Sequence, residues 1–138
     1  MVTLLDTHVL VWLMEGNERL GQKSREMIRT AAQADNLYVS AITPWEVAML
    51  VSKGRLSFSV EIGEWLRIAL AMPGILMTPL SVEISVASTQ LPGDFHSDPA
   101  DRIIVATARH IGATLVTEDK LILTYGQANH LKAYRAGV

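Results

Sequence analysis

The segment HSDPADRIIVATA, residues 96–108, carries two aspartates around a proline at the start of an apolar stretch. In a helix, the positions three, four and seven residues after Asp101 share its face, and all three are apolar: Ile104, Val105 and Ala108. The carboxylate of Asp101 is therefore predicted to lie on the buried side of a helix. This is the position of a metal ligand or an acid–base group rather than of a solvated charge.

Three other acids occupy comparable positions. Asp6 ends one short apolar run, Asp119 lies just past another, and Glu46 shares the apolar face of its predicted helix. Short apolar runs are typical of buried strands, and the residues that follow such strands gather at one edge of a parallel sheet. Four carboxylates from four separate elements are therefore expected at one site.

Carboxylates brought together in this way repel one another. Two of them about 4 Å apart destabilise each other by roughly 4 kcal/mol at an effective dielectric near 20. Protonation or a bound cation relieves that repulsion. Because the chain has no cysteine and no paired histidines at metal-ligand spacing, the oxygen ligands favour Mg²⁺ or Mn²⁺ over zinc.

The elements that must position these acids alternate between short apolar runs and longer amphipathic segments. The predicted strands are residues 2–5, 37–40, 75–78 and 114–117, with a last edge strand at 130–134. The predicted helices are residues 7–15, 21–34, 43–53 with Thr43 as cap, 60–72 with Ser59 as cap, a segment beginning at Ser81, 99–111, and a short helix to residue 124 with Asp119 as cap. This order predicts a three-layer α/β/α fold with a mostly parallel central sheet.

Composition limits the class of protein. The 138 residues, 49% hydrophobic and 19% charged, are expected to form one domain over residues 1–138. A formal net charge of −2 gives no broad electrostatic footprint for nucleic acid, so a polyanion must be held locally. The N-terminus has no basic leader, and the longest apolar run, residues 9–14, is too short to cross a bilayer. We expect a cytoplasmic protein without a membrane partner.

Each acid also has a simpler structural interpretation. Thr43-Pro44-Trp45-Glu46 has the form of a capping box, and Asp98 and Asp119 stand where helix-capping residues are common. Taken one at a time, these acids are more often caps than ligands. Asp6 is harder to explain in this way, and the convergence of all four candidate ligands favours a metal site.

Four segments together resemble the PIN-domain ribonucleases, and within that family the VapC-like toxins of bacterial toxin–antitoxin pairs: LLDTHVLVWL, SAITPWEVAML, DPADRIIVATA and LVTED. The resemblance covers essentially the whole chain in the family's order and spacing. No single motif is specific, but the ordered set is. The resemblance implies an endoribonuclease that depends on Mg²⁺ or Mn²⁺, an RNA substrate, a homodimer, and neutralisation by a small antitoxin.

The resemblance also implies roles for individual residues. Four residues match the family's acidic metal-binding positions: Asp6, Glu46, Asp101 and Asp119. Either Asp6 or Asp119 is expected to act as the general base. Asp98 matches an extra acid of the D-P-x-D-R variant, as a metal-shell residue or a cap, and Thr117 matches a hydroxyl that orients water or a ligand. Ala100 replaces a larger apolar residue, a departure not expected to affect catalysis.

Basic residues close in sequence to the acids are candidates for phosphate contacts: Arg102, Lys53, Arg55 and Lys120. For each of these residues alone, an ordinary solvated charge is the simpler explanation. His96, in the loop before Asp98, is a candidate substrate contact, whereas a structural role is expected for His8.

The aromatic residues leave two interpretations open. Trp12 and Trp65 lie in apolar helical stripes and are expected to pack, while Trp45, beside Glu46, stays open as a base-stacking residue. The apolar stripe of residues 60–72 is either a surface for another protein chain or plain core.

Three functions compete. A metal-dependent endoribonuclease is favoured by the four acids. A noncatalytic nucleic-acid or protein-binding module on the same fold predicts that acids are missing, and none is. A phosphoryl-transfer or phosphoacceptor protein with Asp6 as nucleophile requires an acid two residues later or an acidic pair before it, where His8 and Leu5 stand.

Overall fold

A five-stranded sheet forms the centre of the computed structural model, which describes residues 1–138. Every neighbouring pair of strands is parallel, and their order across the sheet is β3-β2-β1-β4-β5. The strands are β1 (Thr3–Leu5), β2 (Leu37–Ser40), β3 (Ile75–Thr78), β4 (Thr114–Thr117) and β5 (Lys132–Arg135). The predicted three-layer fold is confirmed, and the sheet is parallel throughout.

Seven helices cover the two faces of the sheet. They are α1 (Thr7–Glu15), α2 (Gln22–Gln33), α3 (Ile42–Ser52), α4 (Ile62–Leu70), α5 (Val82–Thr89), α6 (Pro99–Ile111) and α7 (Lys120–Gln127). None of them combines the length and the apolar character that a bilayer-spanning helix needs.

Consecutive residues of the central strand face opposite layers, as the twofold side-chain period of a strand requires. Leu4 belongs to the core cluster that contains Ile104 of α6, and Leu5 to the cluster that contains Leu10 of α1 and Ile28 of α2. All five side chains are almost completely buried. The strand that ends at Asp6 is thus fixed from both sides.

The strand order changes direction between β1 and β4. The chain builds outward from β1 to β3, then crosses back to place β4 on the other side of β1, in register from Thr3 opposite Thr114 to Leu5 opposite Val116. Open parallel sheets bind ligands beyond the carboxyl ends of the strands at such a switch point. The backbone of Asp6 is held there, because its N–H donates to the carbonyl of Val116 at 3.0 Å.

The helix over residues 43–53 starts earlier than predicted, and Thr43 does not cap it. The N-cap is Ala41, which makes no side-chain capping bond, and the helix runs from Ile42. Pro44 is tolerated in the first turn because the first four N–H groups of a helix have no partner within it. Thr43 is instead fully buried, which leaves its hydroxyl free for a contact with another helix.

Three other boundaries differ from the prediction. The carboxylate of Glu61, rather than Ser59, caps α4 by accepting from the N–H groups of Gly63 and Glu64, so the helix begins at Ile62. Helix α7 continues past residue 124 because the buried ring of Tyr125 packs in the core one turn after Ile122. The last strand lies at residues 132–135, where it pairs along the whole length of β4.

Candidate metal centre

Asp6 caps a helix as well as ending a strand. It is the N-cap of α1, with one carboxylate oxygen accepting from the N–H of Thr7 at 2.8 Å. The other oxygen accepts from the Thr117 hydroxyl at 2.6 Å. Only 7% of the residue is exposed, so the carboxylate is held in one orientation at the switch point.

Thr117 connects two of the predicted site acids. Its fully buried hydroxyl donates to Asp6 and accepts from the N–H of Asp119 at 3.0 Å. Asp119 in turn caps α7 by accepting from the N–H of Ile122 through Oδ1 at 3.0 Å. The strand end, the turn and the start of α7 are thereby locked together.

Helix α6 begins with the pair Asp98 and Asp101. Asp98 is the N-cap, and its Oδ1 accepts from the N–H of Asp101 at 2.9 Å. The capping interpretation of Asp98 and Asp119 is therefore confirmed. Each cap uses Oδ1, and neither Oδ2 is engaged in a hydrogen bond, so capping leaves an oxygen free for a metal.

Glu46 is not a cap. It lies in the second turn of α3 and accepts a hydrogen bond from the hydroxyl of Thr7 on α1. That hydroxyl also lies 3.3 Å from the hydroxyl of Thr43. The capping box predicted from the sequence is wrong, because the helix starts before Thr43 and Glu46 bonds to a different helix.

Thr7 is a site residue that the sequence reasoning missed. It is 1% exposed, and its backbone N–H contacts Asp6 while its hydroxyl contacts Glu46. The only signal in the sequence is a small hydroxyl residue directly after the acid that ends β1. That signal is weak, because the partner is 39 residues away.

Three of the four predicted ligands fall into two close groups of ligand atoms that share Asp101, whereas Asp6 belongs to neither group. One carboxylate oxygen from each of Glu46, Asp98 and Asp101 lies within 4.8 Å of the others. A second group, also within 4.8 Å, consists of His96, Asp101 and Asp119. Asp101 belongs to both groups, so its carboxylate stands at the centre of the cluster.

The electrostatic consequence is largest at Asp101. Burial raises its pKa to about 8, and the negative charges around it act in the same direction: Asp6, Asp98, Asp119 and Glu46. In the absence of a cation, this carboxyl therefore holds a proton near neutral pH. A divalent ion is the alternative way to satisfy the site.

The same effect extends to Asp6 and Glu46. Burial raises the pKa of both, and the hydrogen bonds from Thr117 to Asp6 and from Thr7 to Glu46 oppose the shift. His8 also lowers the pKa of both carboxyls by its charge, so this exposed ring lies beside the cluster rather than in the core. The structural role expected for His8 stays a prediction.

His96, the candidate substrate contact, lies directly beside the acids. Its Nδ1 accepts from the N–H of Asp98 at 3.4 Å, which assigns the ring proton to Nε2. Nε2 is 3.1 Å from Oδ2 of Asp101, but the N–H is not directed at that oxygen, and the buried nitrogen has no hydrogen-bond partner. A substrate oxygen would satisfy this donor.

Arg102 has a structural role, and its phosphate contact stays a prediction. Its guanidinium donates to three backbone carbonyls, those of Ser88 at 2.8 Å, Phe95 at 3.0 Å and His96 at 3.1 Å. These bonds fix the loop before α6 against the end of α5. Two of the three guanidinium nitrogens, Nε and Nη1, are therefore hydrogen-bonded to the backbone.

The other basic candidates are exposed at the ends of helices. Lys53 and Arg55 follow α3, and Lys53 stands about 10 Å along the helix axis from Glu46 at 1.5 Å per residue. Lys120 is the first residue of α7, directly after Asp119. Their phosphate contacts stay predictions.

Two of the three tryptophans pack, as predicted. Trp65 stacks on Phe58 at 4.2 Å and donates its indole N–H to Glu15 at 3.2 Å, and Trp12 packs against a core cluster. The apolar stripe of α4 is therefore core rather than a free surface. Trp45 is 57% exposed beside Glu46.

The donor set fits a hard divalent cation. All the acids offer carboxylate oxygens, the ligands that Mg²⁺ and Mn²⁺ prefer, and the protonated Nε2 of His96 beside them is a hydrogen-bond donor rather than a ligand. Asp6, Asp98 and Asp119 are N-caps, so the positive ends of α1, α6 and α7 also meet here. Each helix end offsets only a fraction of the repulsion between carboxylates.

Comparisons with known proteins agree with this geometry. Residues 3–126 match the PIN domain family. Ribonuclease VapC22 from Mycobacterium tuberculosis is 33% identical over 123 residues, which cover 88% of this chain and 90% of that relative.

Solved structures show the same fold at low identity. VapBC2 from Rickettsia felis, bound to a DNA fragment from their promoter, matches with a TM-score of 0.72 and 18% identity over 98% of both chains. DNA-bound VapBC from Salmonella typhimurium matches with a TM-score of 0.67 and 13% identity over 98% of both chains. FitAcB from Neisseria gonorrhoeae matches with a TM-score of 0.59 and 21% identity, again over 98% of both.

The stability of the metal-free protein should fall as pH rises from about 4 to about 8. Folding raises the pKa of Asp101 from 3.8 to about 8, so in this window the folded state keeps a proton that the unfolded state has lost, and each rise in pH favours unfolding. Urea denaturation in chelator at a series of pH values measures this slope.

Asp101→Asn should flatten the slope and raise the free energy of unfolding at pH 8 by about 2 kcal/mol. This is less than the free energy that corresponds to the full pKa shift of Asp101, because the remaining acids share the proton. Glu83→Gln, an exposed carboxylate on α5, is the matched control and should keep the wild-type slope. Equal slopes for both variants would contradict the electrostatic account.

Thr117→Val should destabilise the protein by about 1–3 kcal/mol, because the buried Asp6 carboxylate loses a donor and the N–H of Asp119 loses its acceptor. Thr117→Ser keeps the hydroxyl and should lose less. Thermal unfolding of both variants in chelator measures the difference, and equal losses would show that packing, not the hydroxyl, matters at this position.

Proposed function

This chain belongs to the PIN-domain family, and on that premise we propose that it is a metal-dependent endoribonuclease, the toxin of a toxin–antitoxin pair. The observation that carries the proposal is the cluster of mutually repelling carboxylates at the switch point of the sheet: Asp6, Glu46, Asp98, Asp101 and Asp119. Such a cluster is stable in its charged form only around a cation. The relative named a ribonuclease supports RNA as the substrate.

Mg²⁺ or Mn²⁺ is the proposed cofactor. The ion would be held by Asp101 together with Asp6, Glu46 and Asp119, with Asp98 as a further oxygen ligand. When bound, a divalent ion neutralises charge on the phosphoryl oxygens and makes water a stronger nucleophile. Bound ions would also reverse the negative formal charge of the chain where a polyanion must approach.

The chain's own residues then orient groups and move a proton. Both oxygens of Asp6 already accept hydrogen bonds, which holds the carboxylate in one orientation and counts against a role as nucleophile. Asp119 has an oxygen without a hydrogen bond, so we favour Asp119 over Asp6 as the general base. Thr117 aligns the two acids.

RNA would reach this site past exposed basic side chains. Lys53 and Arg55 are exposed after the end of α3, and Lys120 is exposed at the start of α7; we propose that they contact flanking phosphates. The free ring of Trp45 would lie beside the same path. We place the activity in the cytoplasm, where its substrate is found.

The proposed partners are a small antitoxin and a second copy of the chain. The solved structures of similar fold include toxin–antitoxin complexes, which supports such a partner here. Several apolar side chains on β3, the turn after it and α5 are exposed and available for such contacts: Leu76, Met77, Leu80, Val82 and Val86.

Purified protein should cleave single-stranded RNA in Mg²⁺ or Mn²⁺, lose activity in chelator and regain it with excess metal. Asp101→Asn and Asp6→Asn should each lower the rate by roughly 100-fold or more, because they remove a ligand. Gel analysis of end-labelled RNA measures the rates, with Glu83→Gln as the control that keeps wild-type activity. Cleavage that persists in chelator and in both site variants would refute the proposal.

Expression of the chain in bacterial cells should arrest growth, and expression of Asp101→Asn at the same level should not. Co-expression of the small protein encoded beside the gene should restore growth and give a complex that co-purifies, whose mass light scattering then reports. Growth arrest by Asp101→Asn equal to the wild type would show that the toxicity does not come from cleavage.

A further inference from the structure

A cavity of about 300 Å³ adjoins the carboxylate cluster, between the loop of residues 92–96 and helix α7. Half of its eight lining residues carry rings: Phe95, His96, Tyr125 and His130. Their centroids follow one another at 4.4 Å, 4.9 Å and 4.7 Å, with Phe95 between His96 and Tyr125, and Tyr125 next to His130. Phe95, His96 and His130 are half-buried and line the cavity, and the buried ring of Tyr125 packs behind them as their support.

His96 connects this cavity to the acids. The residue lines the cavity, and its Nε2 lies 3.1 Å from Oδ2 of Asp101. A group held in the cavity is thus separated from the centre of the carboxylate cluster by a single imidazole ring. Anything bound there is a direct neighbour of the phosphate that the cluster would hold.

The wall of the cavity is formed before any ligand arrives. Arg102 holds the carbonyls of Phe95 and His96, and the Tyr125 hydroxyl donates to the carbonyl of Pro92. Gly93 has a φ of +67°, and a Cβ at this position would lie 2.6 Å from Nε2 of His130. A loop fixed by these contacts loses little entropy on binding.

We propose that this cavity is a subsite for one unpaired nucleobase of the RNA, adjacent to the phosphate held at the carboxylates. The assignment rests on the proposed function and specifies where that substrate is read. Aromatic rings bind bases by stacking, with little dependence on sequence. At about 300 Å³, the cavity stands at the lower end of the range of about 300–1,000 Å³ for small-molecule sites.

That size selects a single planar group rather than a segment of helix. A base enters only after it leaves its neighbours, so the nucleotide beside the cut must lie in an unpaired region. The subsite therefore selects both an unpaired substrate and the position of the cut relative to one base.

The test fills the cavity with a side chain and measures whether removal of that base from the RNA still raises KM. Thr124 is exposed on α7 and lines the cavity, so Thr124→Trp occupies the space without disturbing the core. Gln127→Trp, on the same exposed helix but outside the cavity lining, is the matched control. The substrates are an RNA oligonucleotide that the wild type cleaves and versions with one abasic residue at each position near the cut.

With the wild type and with Gln127→Trp, one abasic position should raise KM roughly 5- to 100-fold, the loss expected for one stacked base. With Thr124→Trp, KM for the intact RNA should rise by a similar factor, and the abasic residue should add no further penalty. When the two changes together raise KM no more than either change alone, both remove the same contact. A general folding defect would leave the abasic penalty in place.

A binding experiment separates the nuclease proposal from the subsite proposal. Fluorescence anisotropy measures how the same RNAs bind to Asp101→Asn, with and without Thr124→Trp. If the wild type cleaves no RNA but the coupling appears in binding, the nuclease proposal fails and the base subsite stands. An abasic penalty that is unchanged by Thr124→Trp, or absent at every position, overturns the subsite. Weakened antitoxin binding by Thr124→Trp without any RNA coupling would assign the cavity to the antitoxin and also overturn it.

Discussion

The mutual repulsion of carboxylates at one edge of the sheet is the constraint on which the rest of the structure depends. Burial and the four neighbouring acids raise the pKa of Asp101 to about 8, so the site opposes folding in its charged, metal-free form. The two core layers around the central strand must offset that cost. The edge of the sheet thus gathers carboxylates, from the buried Asp6 to the exposed Asp98, whose repulsion only a cation or protons can relieve.

Helix capping and metal binding are compatible at this site rather than alternative. Asp98 and Asp119 each use Oδ1 to cap a helix and leave Oδ2 without a hydrogen bond. The cap fixes the carboxylate in place, and the second oxygen is then presented to the cluster without further loss of side-chain entropy. The same backbone N–H groups that need a cap at a helix start also stabilise negative charge there.

The start of α6 builds two different surfaces from adjacent residues. Asp101 faces the acid cluster, whereas Arg102, about 100° further around the helix, binds the carbonyls of the loop that carries Phe95 and His96. One motif therefore sets the position of a candidate metal ligand and of the aromatic wall beside it. A small shift at this helix start would move both.

The sequence by itself determined the elements and the gathering of the acids, because both follow from local patterns. Strands β2, β3 and β4 are short and mostly apolar, and Asp98-Pro99 marks the start of α6 by its own chemistry. The contacts between Thr7 and Glu46, between His96 and Asp101, and from Arg102 to the loop were decided only by tertiary structure. These contacts depend on how helices pack across the sheet, and no residue type or local spacing encodes which side chains then meet.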